Sequence, residues 1–517
     1  MEPPVIRPVA CESLEGRVLH AAFVVSNTAD AGAGSLRQAI LSANARPGLD
    51  TISFAIRSGA VTISPASALP AVSDPLVLDA STQPGFAGKP LVQLSGARLP
   101  AGNSTSGLTV RSGGSTVRGL VINRFGGNGI ALLSRGGNTV VGNYIGTDAN
   151  GSAAAPNRGQ GVLVQASGNV IGGATASSRN VISGNAKNGI QLYTTAASGN
   201  AIRGNYIGTN AAGSASIANG KCGVSVAGAR NVIGGTTSGS RNVISGNTAD
   251  GILIAGTGAT GNHVQGNYIG TNSTGSASVA NKLYGVEISQ PNNTVGGLTA
   301  SMRNVISGNV KSGVVLYQST AKGNRVQGNY IGTDASGRRD VGNGGRGVDI
   351  TAGASGNFVG GESGGHRNVI SGNNGGGVGI YTGSARNAVS GNYIGTDATG
   401  LLALGNGAAG VAVTSAAGTG NVIGGSTSAA GNVISASGTE GVKVGDVSGT
   451  RIQFNRIGCN RLAAAALANG RAAVSLVGST STVVRDNKVF YTGSVAVQLV
   501  STSGNTIGTN SLRSVAP

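Results

Sequence analysis

Residues 180–209 read NVISGNAKNGIQLYTTAASGNAIRGNYIGT, and most of this stretch recurs. GNYIGT stands at 142, 204, 266, 328 and 391, so Tyr144, Tyr206, Tyr268, Tyr330 and Tyr393 follow one another at steps of 62, 62, 62 and 63. RNVISGN follows nearly the same step, beginning at Arg179, Arg241, Arg303 and Arg367, with a decayed copy, GNVISAS, from Gly431. A third element is a Gly followed by an apolar-x-apolar triplet. It begins at Gly161, Gly189, Gly223, Gly251, Gly285, Gly313, Gly347, Gly377, Gly410 and Gly441. Its steps alternate between short and long, so each 62-residue unit is two coils. Fixed self-similarity of this kind is the mark of a solenoid rather than of several globular domains.

Each coil holds three strands of a few residues, with Gly or Asn at the corners. GVSV, NVIGG and NVISG make a short coil (223–246); GIQL, NAIRG and NYIGT make a long one (189–209), which continues into the insertion NAAGSASIANGKC. Gly and Asn accept the left-handed backbone that a tight corner between parallel sheets requires. Alternation points Ile190 and Leu192 inward with Gln191 outward, and Ile182 inward with Val181 outward. Equivalent residues then stack ~4.8 Å apart, and corner Asn side chains can form ladders. Counting Gly107, Gly129 and the degenerate coils at Ala473 and Ala496 gives about 14 coils.

Composition agrees. Gly is 92 of 517 residues and charged residues are 10%, but 39% hydrophobic content argues against a disordered linker. Trp is absent and aromatics are 3%, which leaves few platforms for stacked sugars or bases. The net charge of +18 arises because acids number only 18 against 36 Lys plus Arg. No dense basic run exists, so a nucleic-acid channel is not expected. Cys11, Cys222 and Cys459 are too scattered for a disulfide framework or zinc site. No apolar run approaches a membrane span, and residues 1–20 are not a standard signal peptide.

The match of 180–192 to NxIxGNxxxGIxL resembles the right-handed parallel β-helix repeat family, which includes pectate-lyase-like enzymes. The resemblance implies an all-β, right-handed, single-stranded parallel β-helix over 105–510, with three short strands per coil. Ahead of it, SNTADAGAGSLRQAILSANARPGLDTISF resembles the CSLREA-type segment of bacterial surface proteins, with Gly34 and Gln38 replacing its usual Cys and Glu. Here Ser35 and Gln38 form a capping box for a helix over 35–45, which is expected to close the open end of the solenoid within a cap region 22–104. LEGRVLHA (14–21) resembles the LEPRxLL-type tag of bacterial envelope proteins, with Gly16 and His20 as departures. The expected divisions are therefore a targeting-like tag 1–21, the cap, the helix and a tail 511–517. The implied setting is extracellular or the cell envelope of a bacterium.

Enzymes of that family cluster carboxylates and a basic residue on one outward strand face, often with Ca²⁺. The outward row of the Gly-led strand reads Ala131, Leu163, Gln191, Ser225, Leu253, Glu287, Val315, Asp349, Gly379, Ala412, Lys443, Ser475, Gln498. Glu287 and Asp349 are the candidate catalytic pair, two coils or ~9.6 Å apart, near the outer limit of an inverting glycosidase pair. Lys443 lies three coils further on. No other cluster interrupts the repeat, so an enzyme is not the first expectation, and no cofactor is expected outside the lyase reading, where Ca²⁺ would serve.

For binding, Arg179, Arg241, Arg303 and Arg367 share one corner at ~9.6 Å intervals, and either meet an anionic polysaccharide or cap corner carbonyls. Tyr193, Tyr317 and Tyr381 follow the Gly-led strand and either contact sugar or cover the corner. The residue after YIGT (Asp148, Asn210, Asn272, Asp334, Asp397) is read as a turn former rather than a metal ligand. His263 and His366 lack partners. Tyr144, Tyr206, Tyr268, Tyr330 and Tyr393 alternate with Val181 and Val243 in an outward apolar stripe. Such a stripe is rarely left bare; either the insertion folds over it or it is a surface for self-association. The function expected is a secreted or cell-surface solenoid with a structural, adhesive or glycan-binding role, and the alternative is a lyase or hydrolase acting on acidic polysaccharide.

Overall fold

The computed structural model describes residues 20–491 and 495–514; the tag, apart from its last two residues, and Cys11 lie outside this range. The chain winds into a parallel β-helix of three long sheets, of 17 (sheet A), 16 (sheet B) and 14 strands (sheet C). One long coil runs Ile190–Leu192 in sheet C, Ala201–Arg203 in sheet A and Tyr206–Ile207 in sheet B. The next coil lies parallel to it and in register, with Ile190 beside Val224, Ala201 beside Val232 and Tyr206 beside Val243. The 14 strands of sheet C correspond to the 14 coils expected.

The inward residues are sealed. Ile190, Leu192, Ile202 and Ile207 are 0% exposed and belong to one core cluster running from Val25 to Val489. Each contributes roughly 1.5–3 kcal/mol by burial. Strands this short cannot satisfy the backbone at three corners per coil, and buried Asn does it instead. At the corner leading into sheet B, each Asn donates from its Nδ2 to the next coil's Oδ1 through Asn143, Asn180, Asn205, Asn242, Asn267, Asn304 and Asn329 (2.8–3.1 Å). Two further ladders follow the other corners, as Asn169–Asn200–Asn231 and Asn185–Asn219–Asn247 illustrate.

Glycine has two distinct uses. Gly204 has φ 71° and turns a corner. Gly189 is needed for space, since a Cβ there would meet the Ile207 side chain at 2.7 Å and the Gly223 carbonyl at 2.7 Å. That close approach seats the core Ile against the Gly that opens its own coil.

Helix α1 (Leu36–Asn44) buries Leu36, Ala39, Ile40 and Ala43 into the common core beside strands Ala22–Val25 and Asp50–Phe54. Ser35 Oγ accepts from Gln38 N–H (3.2 Å), but the Gln38 amide turns to Ser42 Oγ (3.3 Å), so only half of the expected capping box forms. Sheets A and B run on through residue 104, with Leu76–Asp79 pairing Thr116–Arg118 and Val92–Ser95 pairing Leu120–Asn123. At the far end, Ser511–Ser514 is the last strand of sheet B. Among the described residues no helix is long and apolar enough to cross a membrane. Cys222 and Cys459 are buried free thiols.

Candidate functional site: the outer faces of sheets B and C

On sheet B, Tyr and Val alternate coil by coil as expected, and the chain covers them itself. Val181, Val243, Val305, Val369 and Val433 are 2–3% exposed despite pointing away from the core. Two layers do this. The guanidinium of Arg179 stacks 4.3 Å from the Tyr206 ring, Arg241 4.2 Å from Tyr268, Arg303 4.1 Å from Tyr330 and Arg367 4.3 Å from Tyr393. Arg303 and Arg367 also donate from Nε to the carbonyls of Gly328 (3.3 Å) and Gly391 (3.1 Å). The insertion supplies the second layer, with Gly213 and Gly275 so close to the rings of Tyr206 and Tyr268 that a Cβ would meet them at 2.9 Å. The insertion turn is held by its opening residue: Asp148 Oδ1 accepts from Ser152 N–H (2.8 Å) and Asn210 Oδ1 from Ser214 N–H (2.9 Å). All four Arg residues of the row are thus stacked on tyrosine, two of them also bond a carbonyl, and the stripe is covered by the insertion.

Sheet C has the same backbone but different chemistry. Glu287 and Asp349 lie on its outer face with buried Val315 in register between them. The sequence missed a second outward row, formed by the residue immediately before each Gly of the Gly-led strand: Asn128, Gln160, Asn188, Cys222, Asp250, Tyr284, Ser312, Arg346. Most of these side chains accept the backbone N–H one coil on: Gln160 N–H to Asn128 Oδ1 (2.9 Å), Cys222 N–H to Asn188 Oδ1 (2.9 Å), Tyr284 N–H to Asp250 Oδ1 (3.0 Å), Arg346 N–H to Ser312 Oγ (3.1 Å). This backbone role makes the row polar. From Cys222 onward it also becomes ionisable, and the uninterrupted repetition expected from the sequence does not hold there.

Burial raises the carboxyls of Asp250, Glu287 and Asp349 above the ordinary range. For Glu287 the second cause is the charge of Asp250. Asp349 Oδ2 accepts from Ser312 Oγ (2.5 Å), while its buried Oδ1 has no partner among the described residues. Tyr284 is raised by burial and then by Asp349, Glu287 and Asp250, with Lys311 Nζ 5.5 Å from its ring. Burial pushes Cys222, whose thiol donates to Asp250 Oδ2 at 3.6 Å, up to about 12. A carboxyl raised by burial keeps its proton to higher pH than an exposed one and can then donate a hydrogen bond or a proton to a ligand on the face.

Beyond this cluster the floor drops. Ala412 stands in the outward row and Ala409 in the preceding one, and both line the space. The result is a depression of about 570 Å³ bounded by Arg346 on one side and by Glu440, Lys443 and Arg471 on the other, with Thr414 and Asp446 along it. Arg471 pairs loosely with Glu440 (3.8 Å). The three candidate tyrosines separate. Tyr193 is 58% exposed and four coils from Tyr317, itself 40% exposed. Tyr381 folds over Gly379, with Arg346 5.0 Å from its ring, and burial pushes its hydroxyl up to about 12. They do not form one sugar-contacting row.

His263 is exposed, and His366 Nδ1 bonds only Ser363 Oγ (2.6 Å). Among the described residues no group of three or more His, Cys, Asp or Glu side chains is placed to hold a metal ion.

No protein-family model matches the chain, and no curated protein matches it. Among solved structures it is similar to the A-module of mannuronan C-5 epimerase AlgE6 from Azotobacter vinelandii (15% identity, 96% of this chain and 95% of that one, TM-score 0.29). It is also similar to the Dettilon tailspike protein (14%, 82% and 68%, 0.34) and to the PL6-family alginate lyase AlyGC (12%, 95% and 100%, 0.28). The fold assignment rests on the chain's own three sheets.

Proposed function

We propose that this β-solenoid binds an anionic glycan along the outer face of sheet C, seated in the depression between Arg346 and Arg471. The observation that carries this reading is a small-residue floor ringed by Arg346, Lys443 and Arg471 on the outer face of sheet C. The cations meet carboxylates of the polymer, Glu440, Asp446 and Thr414 meet its hydroxyls, and coils stacked at ~4.8 Å present these groups in a line. With few aromatic platforms, charge supplies most of the affinity, which therefore falls with salt. An extracellular or envelope setting goes with this reading and is checked by fractionating cells that express the full chain.

Calorimetry with oligouronides tests it. Lys443→Ala with Arg471→Ala is expected to weaken binding at least ~10-fold, the effect of losing two charge-assisted contacts, and Ala412→Leu to weaken it by filling the floor. Equal affinity in all three proteins would contradict the reading. The second reading, a lyase or hydrolase of acidic polysaccharide, draws on the raised carboxyls of Asp250, Glu287 and Asp349. It requires unsaturated product or new reducing ends from the same oligouronides, lost in Glu287→Gln or Asp349→Asn.

A further inference from the structure

The Arg–Tyr ladder of sheet B breaks once, and three replacements coincide at the break. Gly431 stands where Arg179, Arg241, Arg303 and Arg367 stand in earlier units. Arg456 stands in the tyrosine position, pairing with Val433 as Tyr393 does. Arg461 stands where Ala211, Ser273, Ala335 and Ala398 stand. Its backbone N–H reaches the Gly400 carbonyl at 2.8 Å, as Ala398 reaches Gly337 and Ala335 reaches Gly275. One coil further, Lys488 lies directly beside Arg456 in the sheet.

This arrangement is unfavourable by itself, since like charges directly opposite on neighbouring strands destabilise a sheet. No salt bridge among the described residues involves Arg367, Arg456, Arg461 or Lys488. Arg456 Nε is buried without a hydrogen-bond partner, as Arg179 Nε and Arg241 Nε are in the intact ladder, but unlike them Arg456 stacks on no aromatic ring among the described residues. Arg367 uses only Nε, on Gly391, and keeps both terminal nitrogens for another acceptor. Without the repeat's Arg at 431, the covering layer is missing and a cavity of about 290 Å³ opens, lined by Glu362, Arg367, Tyr393, Ser428, Arg456 and Arg461. Glu362, its one carboxylate, is exposed at the rim and makes no ion pair.

We propose that this break is a binding site for a tetrahedral oxyanion, a phosphate or sulfate group, clamped by Arg367, Arg456 and Arg461. Guanidinium forks match the oxygens of such a group, and the ion supplies the negative charge that the Arg456–Lys488 neighbours lack. The group is either a free ion or an ester on a sugar, for which the cavity has room. The site lies on sheet B, away from the proposed glycan seat on sheet C, and stands independently of it.

Thermal unfolding and calorimetry of the full chain test the site with sodium sulfate, sodium phosphate and N-acetylglucosamine 6-sulfate, against chloride at matched ionic strength. Arg456→Tyr with Arg461→Ala restores the residues of the earlier units and should fold at least as stably as the parent without added anion. Sulfate or phosphate should raise the melting temperature of the parent above the chloride control, and the double variant should lose that rise and bind at least tenfold more weakly. Arg241→Gln, inside the intact ladder, should keep the response. Tighter binding of the sugar sulfate than of free sulfate assigns the ester, and the reverse assigns the free ion; both support the site. An equal rise in parent and double variant, or no rise in the parent, overturns it.

Discussion

Sheets B and C share one core, one coil spacing and the same corner glycines, yet their outer faces differ in kind. On sheet B, Tyr, Val, Arg and the insertion recur unit after unit, and each is used to cover the others. On sheet C the core-facing residues recur, while the outward rows change from Gln191 and Ser225 to Glu287, Asp349 and Lys443. A residue repeated at every unit makes the same environment each time and cannot define a single site. Repetition here marks what the fold needs, and departure from it marks where chemistry gathers: the Asp250–Asp349 cluster and its depression on sheet C, and the broken ladder at Arg456 on sheet B.

The largest expected effect belongs to what both faces stand on. Asn267 Nδ2 donates to Asn304 Oδ1, Ile233 O and Gln265 O, and Asn267 receives Asn242 from the coil before. Asn267→Leu strands several buried polar groups and should cost about 3 kcal/mol or more, read by urea unfolding; a loss under about 1 kcal/mol would mean that the ladder is not structural. Next comes a pair of tyrosines. Tyr268, 8% exposed beneath Arg241 and Gly275, should cost about 2–4 kcal/mol as Tyr268→Ala, whereas Tyr193→Ala on sheet C should stay within ~0.5 kcal/mol. Similar losses would erase the distinction between a sealed face and an open one.

Asp349 gives a smaller effect with a sign. Burial holds its carboxyl above the ordinary range, so the folded chain binds that proton more tightly than the unfolded chain does. Its contribution to stability therefore falls as pH rises from the ordinary carboxylate range through the raised value, and is flat above it. Asp349→Asn should be the more stable protein at neutral pH, with the gap closing towards pH about 4, where unfolded carboxyls are half protonated. A gap that does not change between those pH values would contradict the burial account. Arg241→Gln should cost about 0.5–1 kcal/mol for one stacked guanidinium, measured by thermal melts.

The fold was legible because its determinants recur. Gly189, Asn205 and Ile207 have counterparts one unit away, and alternation alone placed Ile190, Leu192 and Ile182 inside. The Tyr206 stripe was legible too, with the insertion as its cover. What covered its other side was not: Arg179 precedes Tyr206 by a coil, and stacking across coils leaves no trace in linear spacing. The sheet C cluster was missed for a more specific reason. Its new members, Asp250, Tyr284, Ser312 and Arg346, sit immediately before the Gly of each strand, one residue outside the triplet whose alternation was read. Aligned on that Gly, the row is visible in the sequence. The depression was not, because its floor of Ala409 and Ala412 meets Arg346, Lys443 and Arg471 only when separate coils stack.

The claim that sheet C binds and sheet B holds the coils together is tested most directly by exchanging the charges removed. Retention on immobilised oligouronide at low salt should collapse in Lys443→Ala with Arg471→Ala, and stay near the parent in Arg241→Gln with Arg303→Gln, which instead lowers the melting temperature. The opposite pattern, retention lost with the sheet B pair and kept with the sheet C pair, would contradict the account.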